Sequence, residues 1–406
     1  ANVAVGMATY ASWLLTVLFT LVGVGAAALV ARSIGAGDRR TANRAVNQAL
    51  LLAGLAGLAT SIAAYFLAPL LSAQHARTTE ARAIALGYLR IDALGYLLLA
   101  VTVIGNGLLR AAGNTRTPMG IMLVVNVVNA LVSVALVHGW FGVSLGTTGI
   151  AIGTLVARSL GGVIIIAVLL QGPCGFRIHP VFLRPNPAII ARMLRVGLPA
   201  AGDAAVMSLA QLLFLTVVSR TATGEAGTAN FAAHTIAMRM EGLSYLPAIA
   251  WATAAATAAG QYLGARRPDD AARAVRTAAL QGAGISAGIG AVFVLFADAI
   301  YRLMSNDPAV AAVGVPAFRI LGFVQPMLAA GIIYNGALRG IGDARITMLI
   351  SIIAGVCLRV PIGYLGGIWL GGGLIGAWCG MWTDNVTKFI LGWLRFRHGG
   401  WRHIRV

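Results

Sequence analysis

The chain has 406 residues, of which 59% are hydrophobic and only 10% charged, and its mean hydropathy is +0.84. A water-soluble domain carries about a quarter charged residues, so this composition excludes a soluble globular protein and fits a body that faces lipid. The net charge of +18 would suit a nucleic-acid partner, but the basic residues lie in short groups between apolar runs, without the interleaved aromatics of a binding stripe, and that class is excluded too.

An apolar run of about 20 residues crosses a bilayer core as a helix. Eleven such runs follow one another at 7–30, 46–67, 83–109, 118–137, 149–170, 198–219, 229–262, 274–296, 313–338, 347–365 and 372–394. No charged stretch or cleavage site precedes the first, which reads as a span rather than a signal peptide. Pro247 and Pro326 fall inside two runs and predict kinks. The segment 171–197 is the longest polar connection and reads as a cytoplasmic linker, with 187–195 as a short amphipathic surface helix. Cys174, Cys357 and Cys379 are odd in number and far apart, which predicts small packing residues rather than disulfides or a metal site.

Orientation follows from the arginines. With 32–45 taken as cytoplasmic and the loops alternating, twenty basic residues fall on the cytoplasmic side, including Arg39, Arg110, Arg192, Arg339, Arg345 and Arg405. Only Arg77, Arg82, Arg220 and Arg302 fall outside. The bias places the first residue outside and the C-terminus in the cytoplasm of a multi-pass cell (inner or plasma) membrane protein.

Two halves of the chain overlay at one offset of 229 residues. Gly35-Ala36 with Ala42–Val46 faces Gly264-Ala265 with Ala271–Val275. Asn106–Arg116 faces Asn335–Arg345, and Leu89–Ile91 faces Phe318–Ile320. Corresponding runs cross in the same direction, so the repeats are parallel. Ala1-Asn2 faces Ala229-Asn230, and nothing faces the run 198–219. The expectation is an all-α polytopic membrane protein of two six-helix repeats, the first without its first helix in this sequence. Its parts are an N-terminal lobe of five spans at 1–170, the linker at 171–197, a C-terminal lobe of six spans at 198–394 and a basic tail at 395–406.

Several duplicated segments resemble those of MATE (multidrug and toxic compound extrusion) transporters: Gly35-Ala-Gly-Asp38, Leu109–Met119, Asn126-Val-Val-Asn129 and Ala255–Ala265. The resemblance covers essentially the whole chain. It implies the MATE-like fold and a cation-coupled exporter, in which protons or sodium run inward while organic, often cationic, compounds leave. Family members commonly bind the coupling ion through a carboxylate in the first or the seventh span. The run 198–219 stands in the seventh place, and Asp203 is its only carboxylate. It lies about one turn before the glutamate the resemblance would place there, where this chain has Met207.

Ionisable groups inside a bilayer are functional candidates by default. Glu241 shares a helical stripe with His234, Met238 and Tyr245, a setting for a greasy organic cation or a proton carrier; a structural ion pair is the alternative. Asp203 and Gln211 share a broad face and form a candidate relay, the alternative being an anchor for the Gly197-Leu-Pro199 bend. Asn126, Asn129 and Ser133 form a polar face that either ligates a cation through side-chain carbonyls or bonds a neighbouring helix. Gln325, Tyr334 and Asn335 are cavity-lining candidates of the second half. Asp384 and Lys388, at i,i+4, read as a mutually neutralising pair. Arg90 and Arg319 read as snorkelling or scaffold residues, while Arg158 and Arg359 have no assigned role.

No Walker A loop, metal-spaced histidine pair or Gly-x-Ser-x-Gly elbow occurs, so neither an enzyme nor an ATP-driven pump is expected, and no cofactor beyond the coupling ion. The expected partners are the lipid bilayer and small organic substrates, with the chain acting as a monomer whose two lobes rock around a central cavity. A lipid or lipid-linked oligosaccharide flippase of the same superfamily is the rival, kept open by Arg158, Arg239 and Arg359: unpaired arginines in the cavity favour it, whereas Met, aromatics and carboxylates favour drug export. A channel or a non-transporting scaffold is the further alternative.

Overall fold

The computed structural model describes residues 2–75, 78–140 and 144–404, with backbone alone at 2–16, 74, 75, 81 and 173. Ala1, Arg77 and Arg405, used above in the overlay and the charge bias, lie outside these residues. Every regular element among them is helical. The first stretch holds α1 (Asn2–Gly35), α2 (Arg39–His75), α3 (Thr79–Leu94), α4 (Tyr96–Ala111), α5 (Arg116–His138) and α6 (Gly146–Gln171). Then come α7 (Pro187–Ser219), α8 (Gly224–Gly264), α9 (Pro268–Leu295), α10 (Ala297–Met304), α11 (Pro308–Ile341), α12 (Ala344–Ser351), α13 (Val360–Tyr364) and α14 (Gly373–His398). Wide π-helical stretches, Ile352–Arg359 and Leu365–Trp369, flank α13 and carry α12 on as one apolar span to Trp369.

Among the described residues eight helices are long and apolar enough to cross a membrane, and nine spans result if the bent pair α3–α4 counts as one. The runs in α8 and α14 fall outside that set on composition; each carries ionisable groups, Arg239 with Glu241 and Asp384 with Lys388. Both helices bury their carboxylate, which is what lets such a helix sit in lipid.

The chain divides into Ala1–Leu198 and Pro199–Val406, a boundary inside α7. In the first unit α1 packs on α2 and α4, α2 on α3 and α4, and α5 on α6. Backbones touch where α1 meets the start of α7. A Cβ on Gly25 would stand 2.8 Å from the Met193 carbonyl carbon, and one on Gly197 would stand 2.9 Å from that of Leu21. Ile189, Met193 and Val196 are buried in the process. The predicted surface helix over 187–195 is therefore the first part of a continuous α7, because its apolar face packs on protein. Upstream, two buried amides of α2 pin the connection. Asn47 donates to the Arg177 carbonyl at 3.0 Å and accepts from the His179 N–H at 2.9 Å. Gln48 donates to the carbonyls of Phe182 and Arg184 and accepts from the Asn186 N–H.

In the second unit α11 is the hub, packed by α8, α9 and α14. One apolar cluster centres on Phe214, Phe293, Phe318 and Trp378, the other on Val275, Ile333, Leu338 and Trp401. Helices α8 and α11 run through Pro247 and Pro326 as single helices. The cysteines differ from expectation: all three are free and exposed. Cys357 and Cys379 lie on membrane helices, whose surface is itself apolar, so a thiol needs no interior there, whereas Cys174 lies in the connection after α6.

The repeat is visible in the helix ends. Shifted by 229, α1 ends at Gly264 with α8, α2 covers 268–304 as α9 and α10 do, and α3–α4 covers 308–340 within α11. The left-handed cap at Gly113 (φ 88°) recurs at Gly342 (φ 105°). For α6 and α14 the offset is 227, with Gly172 and Gly399 both left-handed caps.

One break has no counterpart. The run 83–109, expected as one span, is two helices bent by 46° at Gly95. Arg158 of α6 reaches into the bend: its Nη1 lies 2.7 Å from Asp92 Oδ1 and 3.5 Å from the Asp92 carbonyl, and its guanidinium lies 5.4 Å from the Tyr96 ring centre. The Tyr96 hydroxyl donates to Asp92 Oδ2 at 2.7 Å. A Cβ on Gly95 would stand 3.2 Å from Arg158 Cδ. The matching positions of the second unit hold Leu321 and Asn385, and α11 runs unbroken.

Candidate functional site

The second unit concentrates buried charge where the first has small residues. Arg359, Asp384 and Lys388 match Ala130, Ala157 and Gly161 of the first unit. Five segments supply the groups: α7 gives Asp203, Met207 and Gln211; α8 gives His234 and Glu241; α11 gives Arg339; the first π-helical stretch gives Arg359; α14 gives Trp378, Asp384 and Lys388. π-turns recur at functional sites because they re-aim one side chain, and here Arg359 ends such a stretch.

Two of the three carboxylates are paired. Asp203, 1% exposed, accepts from Arg339 Nη1 at 2.7 Å through Oδ2, and its Oδ1 has no hydrogen-bond partner among the described residues. Asp384, also 1% exposed, has Lys388 Nζ at 2.8 and 2.9 Å from its two oxygens, with Arg359 Nη1 at 3.5 Å. Arg359 also donates to Gln211 Oε1 at 2.7 Å and stacks 4.4 Å from the Phe214 ring centre. Lys388 Nζ lies 2.9 Å from Met207 Sδ, so the position where the resemblance places a glutamate holds a thioether against an ammonium.

Glu241 differs from both. It is 3% exposed, has no ion-pair partner among the described residues, and its Oε1 makes no hydrogen bond. Arg359, Asp384 and Lys388 lie within electrostatic range of it. An unpaired buried carboxylate is costly, and a proton or a cation that arrives removes that cost without first breaking an ion pair.

Of the other candidates on α8, His234 accepts from Trp378 Nε1 at 3.2 Å through Nδ1 and packs between Phe214 and Trp378. Met238 is half-buried against the same cluster, and Tyr245 is half-buried one turn beyond Glu241. Gln325 is fully buried, and neither of its amide atoms has a hydrogen-bond partner among the described residues. Asn335 donates to the Gly331 and Lys388 carbonyls, and Tyr334 sits between Phe389 and Phe396. In the first unit Asn129 donates to Thr154 Oγ1 at 3.4 Å, Asn126 is exposed and Ser133 lies against Gly153. Arg319 pairs with Asp298, and Arg90 lies over the Tyr65 ring at 5.1 Å. Arg239 is exposed.

Sequence reasoning missed Arg339, whose role shows only through its contact with α7, 136 residues earlier in the chain. It also left Arg158 and Arg359 without roles; Arg158 is half-buried and Arg359 buried, and each pairs with a buried aspartate.

Comparison with known proteins gives one consistent answer. The MatE family profile matches residues 3–135 and 199–365. A probable multidrug resistance protein NorM of Thermotoga maritima is 27% identical over 98% of this chain and 84% of its own length. A crystal structure of a MATE in the straight conformation superposes with a TM-score of 0.89 at 25% identity, covering 97% of this chain and 87% of that one. A MOP superfamily transporter from Pyrococcus furiosus, described as having a binding pocket of reverse polarity that suggests a different function, superposes at 0.86 with 25% identity, over 98% and 87% of the two chains.

Proposed function

This chain belongs to the MatE family of membrane transporters, and on that premise we propose that it is a secondary exporter of organic cations, driven by proton entry and working by alternating access. The observation that carries the reading is Glu241, a buried carboxylate with no ion-pair partner among the described residues, beside a network that otherwise neutralises itself. Protonation of Glu241 changes the net charge of the network by one, which shifts the pull on Arg359 and Lys388 and through them on the π-helical stretch and α14. Substrate cation and proton compete for the same negative charge, which is the minimal requirement of exchange.

The rival flippase reading needs unpaired arginines. Arg158 and Arg359 are paired with carboxylates, while Arg239 is exposed and has no carboxylate partner among the described residues; Met207 against Lys388 and Phe214 against Arg359 support export of lipophilic cations. The relative's name as a multidrug resistance protein points the same way. The test is dye efflux from proteoliposomes under an imposed pH or sodium gradient. Efflux driven by the pH gradient and lost in Glu241→Gln supports the proposal. Sodium-driven efflux would replace the proton, and lipid-linked phosphate transport without dye efflux would sink the reading.

A further inference from the structure

A second site lies in the second unit, away from the carboxylates. A cavity of about 300 Å³ is lined by Arg276 and Leu280 of α9, Tyr334 of α11, and Trp393, Phe396 and Arg397 of α14. Both arginines are exposed, and neither has a carboxylate partner among the described residues. The nearby acids are already engaged. Asp270 pairs with Arg267 and Arg273, Asp269 with Arg402, and Asp343 with Arg395. The cavity therefore carries two uncompensated positive charges.

Its other walls are apolar or aromatic. Arg397 lies 5.3 Å from the Trp393 ring centre, Tyr334 packs on Phe396, and Leu280 is 76% exposed at the rim. Trp393 and Arg397 sit in the last two turns of α14, and Arg276 lies about 12 Å along α9 from its start. Aromatics and arginines within one or two turns of helix ends mark headgroup depth, and an exposed leucine beside them faces acyl chains. The first unit has neither the arginines nor the aromatics at the matching positions. The matching positions are Asn47, Leu51, Gly105, Ile166, Leu169 and Leu170, so the cavity is not a by-product of the shared helix arrangement.

We propose that this cavity binds the phosphate headgroup of an anionic phospholipid, with Arg276 and Arg397 holding the phosphate and Trp393 and Leu280 contacting the glycerol and acyl region. The site is independent of the coupling network, so it stands whatever Glu241 does. The test uses the full chain in detergent, delipidated and then offered phosphatidylglycerol, phosphatidylcholine or inorganic phosphate, with bound lipid counted by native mass spectrometry and stability followed by thermal shift. Phosphatidylglycerol is expected to bind and stabilise, and the other two are not. Loss of each arginine is expected to weaken retention about 5-fold, and R276Q/R397Q about 25-fold. R276K/R397K, which keeps the charge, is expected to retain most of the binding. Equal retention of phosphatidylcholine, an unchanged affinity in R276Q/R397Q, or equal stabilisation by inorganic phosphate would each overturn the proposal.

Discussion

The bend at Gly95 rests on a buried ion pair, and a double-mutant cycle measures it. Asp92→Leu and Arg158→Asn install the residues that the unbroken second unit carries at Leu321 and Asn385. Removing one partner of a buried pair costs about 3–5 kcal/mol, because the other charge stays behind. Arg158 is 18% exposed, so water relieves it and Asp92→Leu falls near ~3 kcal/mol. Asp92 keeps only the Tyr96 hydroxyl and is 3% exposed, so Arg158→Asn falls near ~4 kcal/mol. The double variant leaves no orphaned charge and is expected within about 1–2 kcal/mol of the parent. The assay is reversible unfolding in mixed micelles by denaturing-detergent titration. Single effects that add to within about 0.5 kcal/mol would show that the pair is not coupled and that the bend has another cause.

Gly25→Leu drives a side chain into the Met193 backbone, which cannot give way, so overpacking of at least about 1–3 kcal/mol and loss of monodisperse protein on size exclusion are expected. Arg339→Gln strands Asp203 and is expected to destabilise by about 3 kcal/mol in the same titration, while Arg339→Lys restores most of it. Asp38 caps α2. The Thr41 hydroxyl and N–H donate to its carboxylate and hold its pKa below the ordinary value, so this contribution is full above that value and lost as pH falls through the depressed one. In Thr41→Val the hydroxyl's part is gone, so amide exchange protection at the start of α2 should start to fall at a higher pH than in the parent.

Much of the architecture was readable because it is local or duplicated. Gly113 and Gly342 are left-handed caps at the same place in two copies, and Asp384 and Lys388 meet because i,i+4 neighbours on a helix must. The bend at Gly95 was not readable: the run 83–109 is long enough for one span and carries Asp92 with no partner in sight, and the arginine that meets Asp92 at the bend lies on α6, later in the chain. Likewise, the helical stripe placed His234 and Glu241 together, but not the Trp378 bond that ties His234 to α14. Burial could be expected for Asp203, whereas its partner Arg339 lay in a motif read as a repeat marker. Periodicity reports which face of a helix is apolar, not which neighbour that face meets.

The central claim is that Glu241 carries the coupling proton. Its most direct measurement is substrate-evoked proton movement in proteoliposomes, recorded with a pH dye beside dye-substrate flux, for the parent and Glu241→Gln. The account predicts that substrate added on one side draws protons toward that side from the other in the parent. In Glu241→Gln it predicts no substrate-evoked proton movement and weaker binding of cationic substrate, because both use the charge that the substitution removes. Proton flux of parental size in Glu241→Gln would contradict it.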